Sequence, residues 1–315
     1  MSTDVNFVVG GEAGQGVQSV GFLLAKALAR GGYQVFADQD YESRIRGGHN
    51  FFRVRAKDSW VGAVAEPVDI LIALNKESIE LHQEELAERG IIVFDEEKAK
   101  GAGGPNLFGV PFGSLAEEKS GNRIMASAVA LGAALGLVGY DLEIIDGVLR
   151  DQFGTGETGQ GNVKAARAGY EFVRENYRGD FSLRLSVLGS GKRMLMNGSE
   201  AIALGAIAAG CKFMAGYPMT PSTPILEYMA AKAKDSDLAV VQPEDEIAAI
   251  HMVIGASFAG VRAMTATSGS GFCLMVEGLG LAGITETPVV IVNGQRPSAG
   301  SIGMGLGMQL SKPLC

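Results

Sequence analysis

Two hydrophobic patterns alternate along the first half of the chain. Short runs of adjacent apolar residues at 5–9, 68–73 and 91–94 predict strands buried on both faces. Longer stretches with apolar residues three and four apart predict helices that bury one side, the first over 17–30. Gly10-Gly11-Glu12-Ala13-Gly14-Gln15-Gly16 joins the first strand to that helix, and Gly31-Gly32 stops it. Further strands are expected at 33–37, closing at Asp38, and at 51–56. An amphipathic helix is expected over 76–89, ended by Gly90. A small-residue helix over 123–137 and helices over 141–151 and 162–176 follow, with 154–161 read as a loop. Alternation of this kind predicts helices packed on a largely parallel sheet.

Residues 178–188 break the rhythm, being irregular and mixed in polarity, so a boundary is expected near residue 185. That gives two domains, 1–185 and 186–315. From Lys192 the pattern restarts. Helices are expected over 200–209, 226–234 and 246–259, and strands at 213–216, 239–242, 263–267 and 289–292, with one more helix before the last strand. The fold class expected is therefore α/β, two doubly wound domains in series. In such sheets the segments that follow strands gather on one edge. Residues 217–224, Glu246, Ser268-Gly269-Ser270-Gly271 and Arg296 all hold that position, and they should converge.

The densest of these stretches is Tyr217-Pro218-Met219-Thr220-Pro221-Ser222-Thr223-Pro224. Each proline fixes its own backbone and biases the residue before it away from helix, so a rigid loop presenting hydroxyls is expected. The same residues read as a helix start, with Ser222 or Thr223 as N-cap and Pro224 in the first turn. Glu244, Asp245 and Glu246 stand together where the next helix opens. Three acids there would at least complement the helix dipole.

Composition narrows the partners. The chain has 315 residues, enough for two domains, and a net charge of −8 with no basic run argues against nucleic acid. The N-terminus shows neither a basic nor an apolar leader segment. The longest apolar stretch, 124–138, is too short for a bilayer core of ~30 Å. A cytoplasmic protein with no membrane partner is expected. The three cysteines are far apart without a Cys-x-x-Cys pair, so this chain alone should hold neither structural zinc nor an iron–sulfur cluster. His49 and His82 have no second histidine at metal spacing and read as surface residues, and His251 as an ordinary helix histidine.

Two motifs in the first half leave alternatives open. Gly14-Gln15-Gly16 followed by Asp38 at a strand end could form a nicotinamide-binding Rossmann site, although Ser19 stands where the fingerprint needs Gly or Ala. A tight turn between strand and helix explains the glycines equally well. Arg44 and Arg46, beside Gly47-Gly48, could hold a phosphate or carboxylate, or make salt bridges in a solvated loop.

The hydroxyl loop resembles the Tyr-Pro-Ile-Thr-Pro-Ser loop of the 2-oxoacid:ferredoxin oxidoreductases, thiamine diphosphate enzymes in which it belongs to the pyrimidine-binding α component. The first half resembles their γ domain, through the glycine loop and Ser43-Arg44-Ile45-Arg46-Gly47-Gly48. The resemblance implies a fused γ–α subunit in which Tyr217, Pro218, Thr220, Ser222, Glu246, Ser268 and Gly269 line the cofactor. Thiamine chemistry needs one carboxylate against the aminopyrimidine ring. Glu246 is the choice, because Ala248, Ala249 and Gly255 leave room beside it, and Glu244 is the alternative. Thr220 would face the thiazolium and substrate carbonyl, and Arg296 the substrate carboxylate. Gly14, Gly16, Arg44 and Arg46 are candidates for coenzyme A or another anion. The Ser268–Gly271 stretch departs from the family's Ser-Gly-Pro-Gly.

No Gly-Asp-Gly…Asn element for Mg²⁺ and the diphosphate is found. The resemblance therefore puts Mg²⁺ and a [4Fe-4S] cluster on a partner β subunit, with thiamine diphosphate shared between the chains. Ferredoxin, coenzyme A and a 2-oxo acid such as 2-oxoglutarate complete the expected partners. Past Gly300 the resemblance fails, which leaves a shortened product or a non-catalytic assembly fragment as further expectations.

Overall fold

The structure is a computed structural model, and it describes residues 3–40, 48–179, 181–189 and 194–295. The chain divides into two compact units, Met1–Leu195 and Met196–Cys315. The matching fold class is α/β, as the sequence pattern predicts.

The first unit runs β1 (Asp4–Glu12), α1 (Val17–Arg30), β2 (Gln34–Asp40), β3 (His49–Lys57), β4 (Val68–Ala73), α2 (Lys76–His82), β5 (Leu86–Asp95), β6 (Leu107–Val110), α3 (Phe112–Ser120), α4 (Ala126–Leu137), α5 (Leu142–Phe153) and α6 (Glu157–Asn176). Its sheet has the order β2-β3-β1-β4-β5-β6. β1, β4, β5 and β6 are parallel, whereas β3 runs antiparallel to both β1 and β2. The central strands are covered on both faces, which is why they read as unbroken apolar runs. Phe7, Val9, Ile70, Ile72 and Val93 join the core that contains Leu24 and Leu28 of α1, while Val8, Leu71 and Ile92 join a second core with Ile79 of α2.

Several boundaries differ from the sequence expectation for local reasons. The helix expected to reach residue 89 ends at His82, after a start capped by Asn75, whose side chain accepts from Ser78 N at 3.0 Å. One 3₁₀ turn follows, and Leu86 already pairs with Val68 in the sheet. Gly90 marks a close crossing within that pairing, where a Cβ would lie 2.8 Å from the Val68 carbonyl. His82 is consequently buried and not at the surface. Its Nδ1 lies 2.8 Å from Glu85 Oε2, its Nε2 lies 2.8 Å from His49 Nε2, and its ring meets Phe51 edge-on.

Residues 157–161, expected in a loop, open α6. The glycines there serve close packing: Gly161 gives way to Met125, and Gly132 and Gly169 let α4 and α6 approach each other's carbonyls. The coil around residue 185 packs on the first unit, so the division falls later than the change in sequence character. Leu185 N donates to Val138 O at 2.9 Å, Leu188 N to Gly31 O at 2.8 Å, and Phe181 and Leu185 are buried.

The second unit runs α7 (Gly198–Ala208), β7 (Phe213–Ala215), α8 (Thr223–Ser236), β8 (Ala239–Val241), α9 (Glu246–Phe258), β9 (Ala263–Ser268), α10 (Gly269–Ile284) and β10 (Val290–Gly294). A reciprocal capping box between Asn197 and Glu200 starts α7. The sheet order is β10-β9-β7-β8, all parallel. Met214, Met264 and Ala266 pack against Ile225, Leu226 and Met229 of α8. On the other face Ala215 and Ala263 pack against Ala249, Ile250 and Val253 of α9 and Met275 of α10. From β7 the chain moves outward to β8, and from β9 it moves the other way to β10. The strand order therefore reverses between β7 and β9, which is where open α/β sheets form a crevice for ligands.

Candidate functional site

Two segments flank that crevice directly, the loop after β7 and the turn where β9 becomes α10. The chain leaves β7 through Gly216, whose N–H donates to Val241 O at 3.1 Å. The proline loop then folds on itself: Ser222 is buried, and its hydroxyl donates to Met219 O at 2.7 Å. Met219 O also accepts from Ser222 N and Thr223 N. Ser222 stands at the N-cap of α8 without a side-chain cap bond, because its hydroxyl is already used inside the loop. Pro224 lies in the first turn, as its fixed φ suits. Tyr217 and Thr220 remain exposed, and Pro218 is half-buried. The loop closes over the end of β10, where a Cβ on Gly294 would lie 3.4 Å from Ser222.

The three neighbouring acids separate cleanly. Asp245 is the N-cap of α9, its Oδ1 accepting from Ala248 N at 2.7 Å. Glu244 is exposed. Glu246 alone turns inward and retains only 4% exposure. Its Oε1 is enclosed and has no hydrogen-bond partner among the described residues. The N-terminus of α9 favours negative charge there, but a buried carboxylate oxygen without a donor is costly and signals a missing partner.

Glu246 faces the first turn of α10. A Cβ on Gly271 would lie 2.7 Å from Glu246 Oε1, and closer still to Thr267 Oγ1. Ser268 ends β9 in an extended conformation, and Gly269, Ser270 and Gly271 open α10. Among the described residues nothing comes within 4 Å of a Cβ built on Gly269. The structure adds three residues that sequence reasoning missed. Thr265, Thr267 and Asn293 carry enclosed oxygens without partners among the described residues, and all three belong to the sheet face that α9 and α10 cover. The signal was present: threonine at alternate positions of an otherwise apolar strand, Ala263-Met264-Thr265-Ala266-Thr267.

In the first unit, Gly14 and Gly16 both adopt left-handed φ, 89° and 91°, and Gly16 is the N-cap of α1. The Rossmann alternative is not assembled. β3 lies between β1 and β2, so Asp38 is not on the strand beside β1. Arg53 also grips Asp38 from both sides of the carboxylate, with Nε to Oδ1 at 2.8 Å and Nη2 to Oδ2 at 2.7 Å. Arg44, Arg46 and Arg296 lie outside the described residues.

The family model described as pyruvate ferredoxin/flavodoxin oxidoreductase matches residues 6–172, more than half of the chain. The chain belongs to this oxidoreductase family. A second model, described as pyruvate flavodoxin/ferredoxin oxidoreductase, thiamine diphosphate-binding, matches residues 204–304 and so contains the crevice. Among curated relatives, the 2-oxoacid:ferredoxin oxidoreductase subunit alpha of Sulfolobus sp is 30% identical over 91% of this chain and 53% of its own length. The 2-oxoglutarate synthase subunit KorA of Methanothermobacter thermautotrophicus is 58% identical over 33% of this chain and 28% of its own. A solved 2-oxoglutarate:ferredoxin oxidoreductase from Magnetococcus marinus, with 2-oxoglutarate, coenzyme A and succinyl-CoA bound, superposes with a TM-score of 0.81 at 31% identity. That match covers 94% of this chain and 53% of the solved one. The chain thus spans about half the length of the longer relatives it resembles throughout.

Proposed function

We propose that this oxidoreductase-family chain supplies the pyrimidine side of a thiamine diphosphate site in a coenzyme A-dependent 2-oxoacid:ferredoxin oxidoreductase. The observation that carries the reading is Glu246, a buried carboxylate at a helix start beside the sheet's switch point, with one oxygen that lacks a donor among the described residues. An aminopyrimidine ring offers the hydrogen-bond partner that this oxygen lacks, so the residues fit the group. The match to a thiamine diphosphate-binding family model over the same residues supports it.

When bound, thiamine diphosphate supplies the carbanion chemistry that cleaves a 2-oxo acid next to its carbonyl. The chain's own residues would divide the remaining work. Glu246 would lie against the aminopyrimidine ring and hold or return a proton there. The first turn of α10, bare at Gly269, would leave the ring room to approach, while Gly271 makes room for the Glu246 carboxylate. Thr220 presents an exposed hydroxyl to the substrate carbonyl, on a loop stiffened by three prolines and by the Ser222–Met219 bond. Arg296 provides a guanidinium for the substrate carboxylate. Tyr217 and Pro218 wall the mouth, and Ser268 ends the strand on its far side.

The substrate class we favour is a dicarboxylic 2-oxo acid such as 2-oxoglutarate. The relatives named 2-oxoglutarate synthase and the solved 2-oxoglutarate enzyme support that choice. Coenzyme A would take the acyl group, with Gly14, Gly16, Arg44 and Arg46 as candidate contacts, and ferredoxin the electrons. Mg²⁺ and a [4Fe-4S] cluster are assigned to a partner β subunit. Among the described residues no helix is long and apolar enough to cross a membrane, and we place the assembly in the cytoplasm.

The test is coenzyme A-dependent dye reduction by the chain co-expressed anaerobically with its partner subunit, across a panel of 2-oxo acids. Activity with one or more acids supports the reading, and 2-oxoglutarate is expected to lead. No reduction with any acid, under conditions where the purified complex contains thiamine diphosphate and cluster, contradicts it.

A further inference from the structure

We propose that Glu85, His82 and His49 form a proton relay at the switch point of the first unit, and that it takes the proton of a bound thiol, that of coenzyme A. The link to coenzyme A rests on the function proposed above, whereas the relay stands on its own geometry. β1 leads through α1 to β2, and β4 leads through α2 the other way to β5, so the strand order reverses between β1 and β4. His49 opens β3 opposite Glu12, at the carboxyl end of β1. A Cβ on Gly10 would lie 3.3 Å from His49 Cε1 and 2.8 Å from Ser78 Cβ, so the imidazole and α2 meet over the end of β1.

Two contacts order the hydrogens. The Glu85 carboxylate only accepts, so His82 Nδ1 carries the hydrogen of their 2.8 Å contact. A single hydrogen lies between His82 Nε2 and His49 Nε2, also 2.8 Å apart. With both imidazoles neutral it belongs to His49, and His49 Nδ1 is the acceptor; the hydrogen-bond network assigns this tautomer. A proton added to the pair therefore arrives at His49 Nδ1, and its charge can pass to His82, which a carboxylate backs. Burial suits this direction. His49 Nδ1 is enclosed and His82 retains 6% exposure, whereas the Glu85 side chain is 37% exposed, so water meets only the outer end. A metal fits less well, because tetrahedral bonds of about 2.0–2.1 Å would hold the two nitrogens farther apart than this contact. Among the described residues no group of three His, Cys, Asp or Glu side chains could hold an ion.

One proton moves. The S–H bond breaks, its hydrogen binds His49 Nδ1, and a thiolate remains. The shared hydrogen crosses to His82 Nε2, which places the charge beside Glu85, and the chain returns the proton to water at its outer end.

The experiment reads the tautomer and the chemistry separately. In the full chain in alkaline solution, nitrogen-15 NMR of labelled histidines should show His49 protonated at Nε2, with H49Q assigning the signal. In E85Q, whose amide can donate to His82 Nδ1, a population protonated at His49 Nδ1 should appear. A native chain with His49 protonated at Nδ1 overturns the relay. In the complex with the partner subunit, E85Q and H82F should lower coenzyme A-dependent turnover of 2-oxoglutarate roughly a hundredfold, and CO2 release without coenzyme A by less than about twofold. Full turnover in H82F, or an equal loss of both steps, overturns the role. A native complex that turns over no 2-oxo acid, with His49 protonated at Nε2, upholds the hydrogen order and contradicts the function proposed above instead.

Discussion

Glu246 Oε1 lies against Gly271, so close that a Cβ there would sit 2.7 Å from it, and nearer still to Thr267 Oγ1. The glycine is therefore required by approach and not by backbone conformation, since it lies inside α10. Gly271→Ala should push Glu246 off its position and cost roughly 1–3 kcal/mol of stability from overpacking. Thiamine diphosphate binding by the complex should fall with it. Calorimetric binding and urea unfolding of the variant check both; retained affinity would show that the carboxylate does not need this contact.

The acids at the start of α9 have separable roles, and substitution should separate them. Asp245→Ala removes an N-cap and should cost about 1 kcal/mol while leaving the carboxylate of Glu246 in place. Glu246→Gln should instead raise stability in the cofactor-free protein, because an amide is cheaper to bury than a carboxylate with an unpartnered oxygen. Denaturant midpoints of the two variants give opposite shifts on this account.

Asp38 belongs to a surface ion pair with Arg53, each side chain a little over one-third exposed. Asp38→Ala should therefore cost less than about 1 kcal/mol, since solvent screens the pair. No nicotinamide nucleotide should bind either form. Fluorescence titration with NADH decides it, and saturable binding lost on Asp38→Ala would revive a nucleotide site.

A pH effect is expected in the first unit. Burial pushes the carboxyl of Asp95 up from its ordinary value, partly opposed by the N–H of Glu97 and by Lys98. A folded value above the unfolded one means that ionising Asp95 weakens the fold as pH rises through the folded value. Asp95→Asn should accordingly stabilise the protein at pH 7, with the gain shrinking as pH falls through the carboxylate range. Urea unfolding at the two pH values measures it; a gain that does not depend on pH would contradict the cause given.

Much of this was legible in the sequence, and the misses share a cause. The strands buried on both faces, β1 and β4, and the glycine turn between β1 and α1 appear directly in the hydrophobic pattern, because local composition decides them. The segment 76–89 misled because its apolar spacing fits a helix, whereas pairing of Leu86 with Val68 converts its end to strand. That tertiary override also carried His82 from an expected surface position to contact with His49. The antiparallel insertion of β3, which separates Asp38 from β1, leaves no trace in any one strand's pattern. In the candidate site, Glu246 stood out by its neighbours; the alternating threonines of β9 are visible in the sequence, but the enclosure of Thr265, Thr267 and Asn293 is set by packing.

The most direct measurement is the rate of 2-oxoglutarate- and coenzyme A-dependent dye reduction by the complex of this chain with its partner, beside the Glu246→Gln complex loaded with the same amount of thiamine diphosphate. The account predicts a loss of roughly a hundredfold or more in Glu246→Gln, the scale of a lost proton-handling group. Equal rates from the two complexes would contradict the assignment of Glu246 as the carboxylate that faces the cofactor.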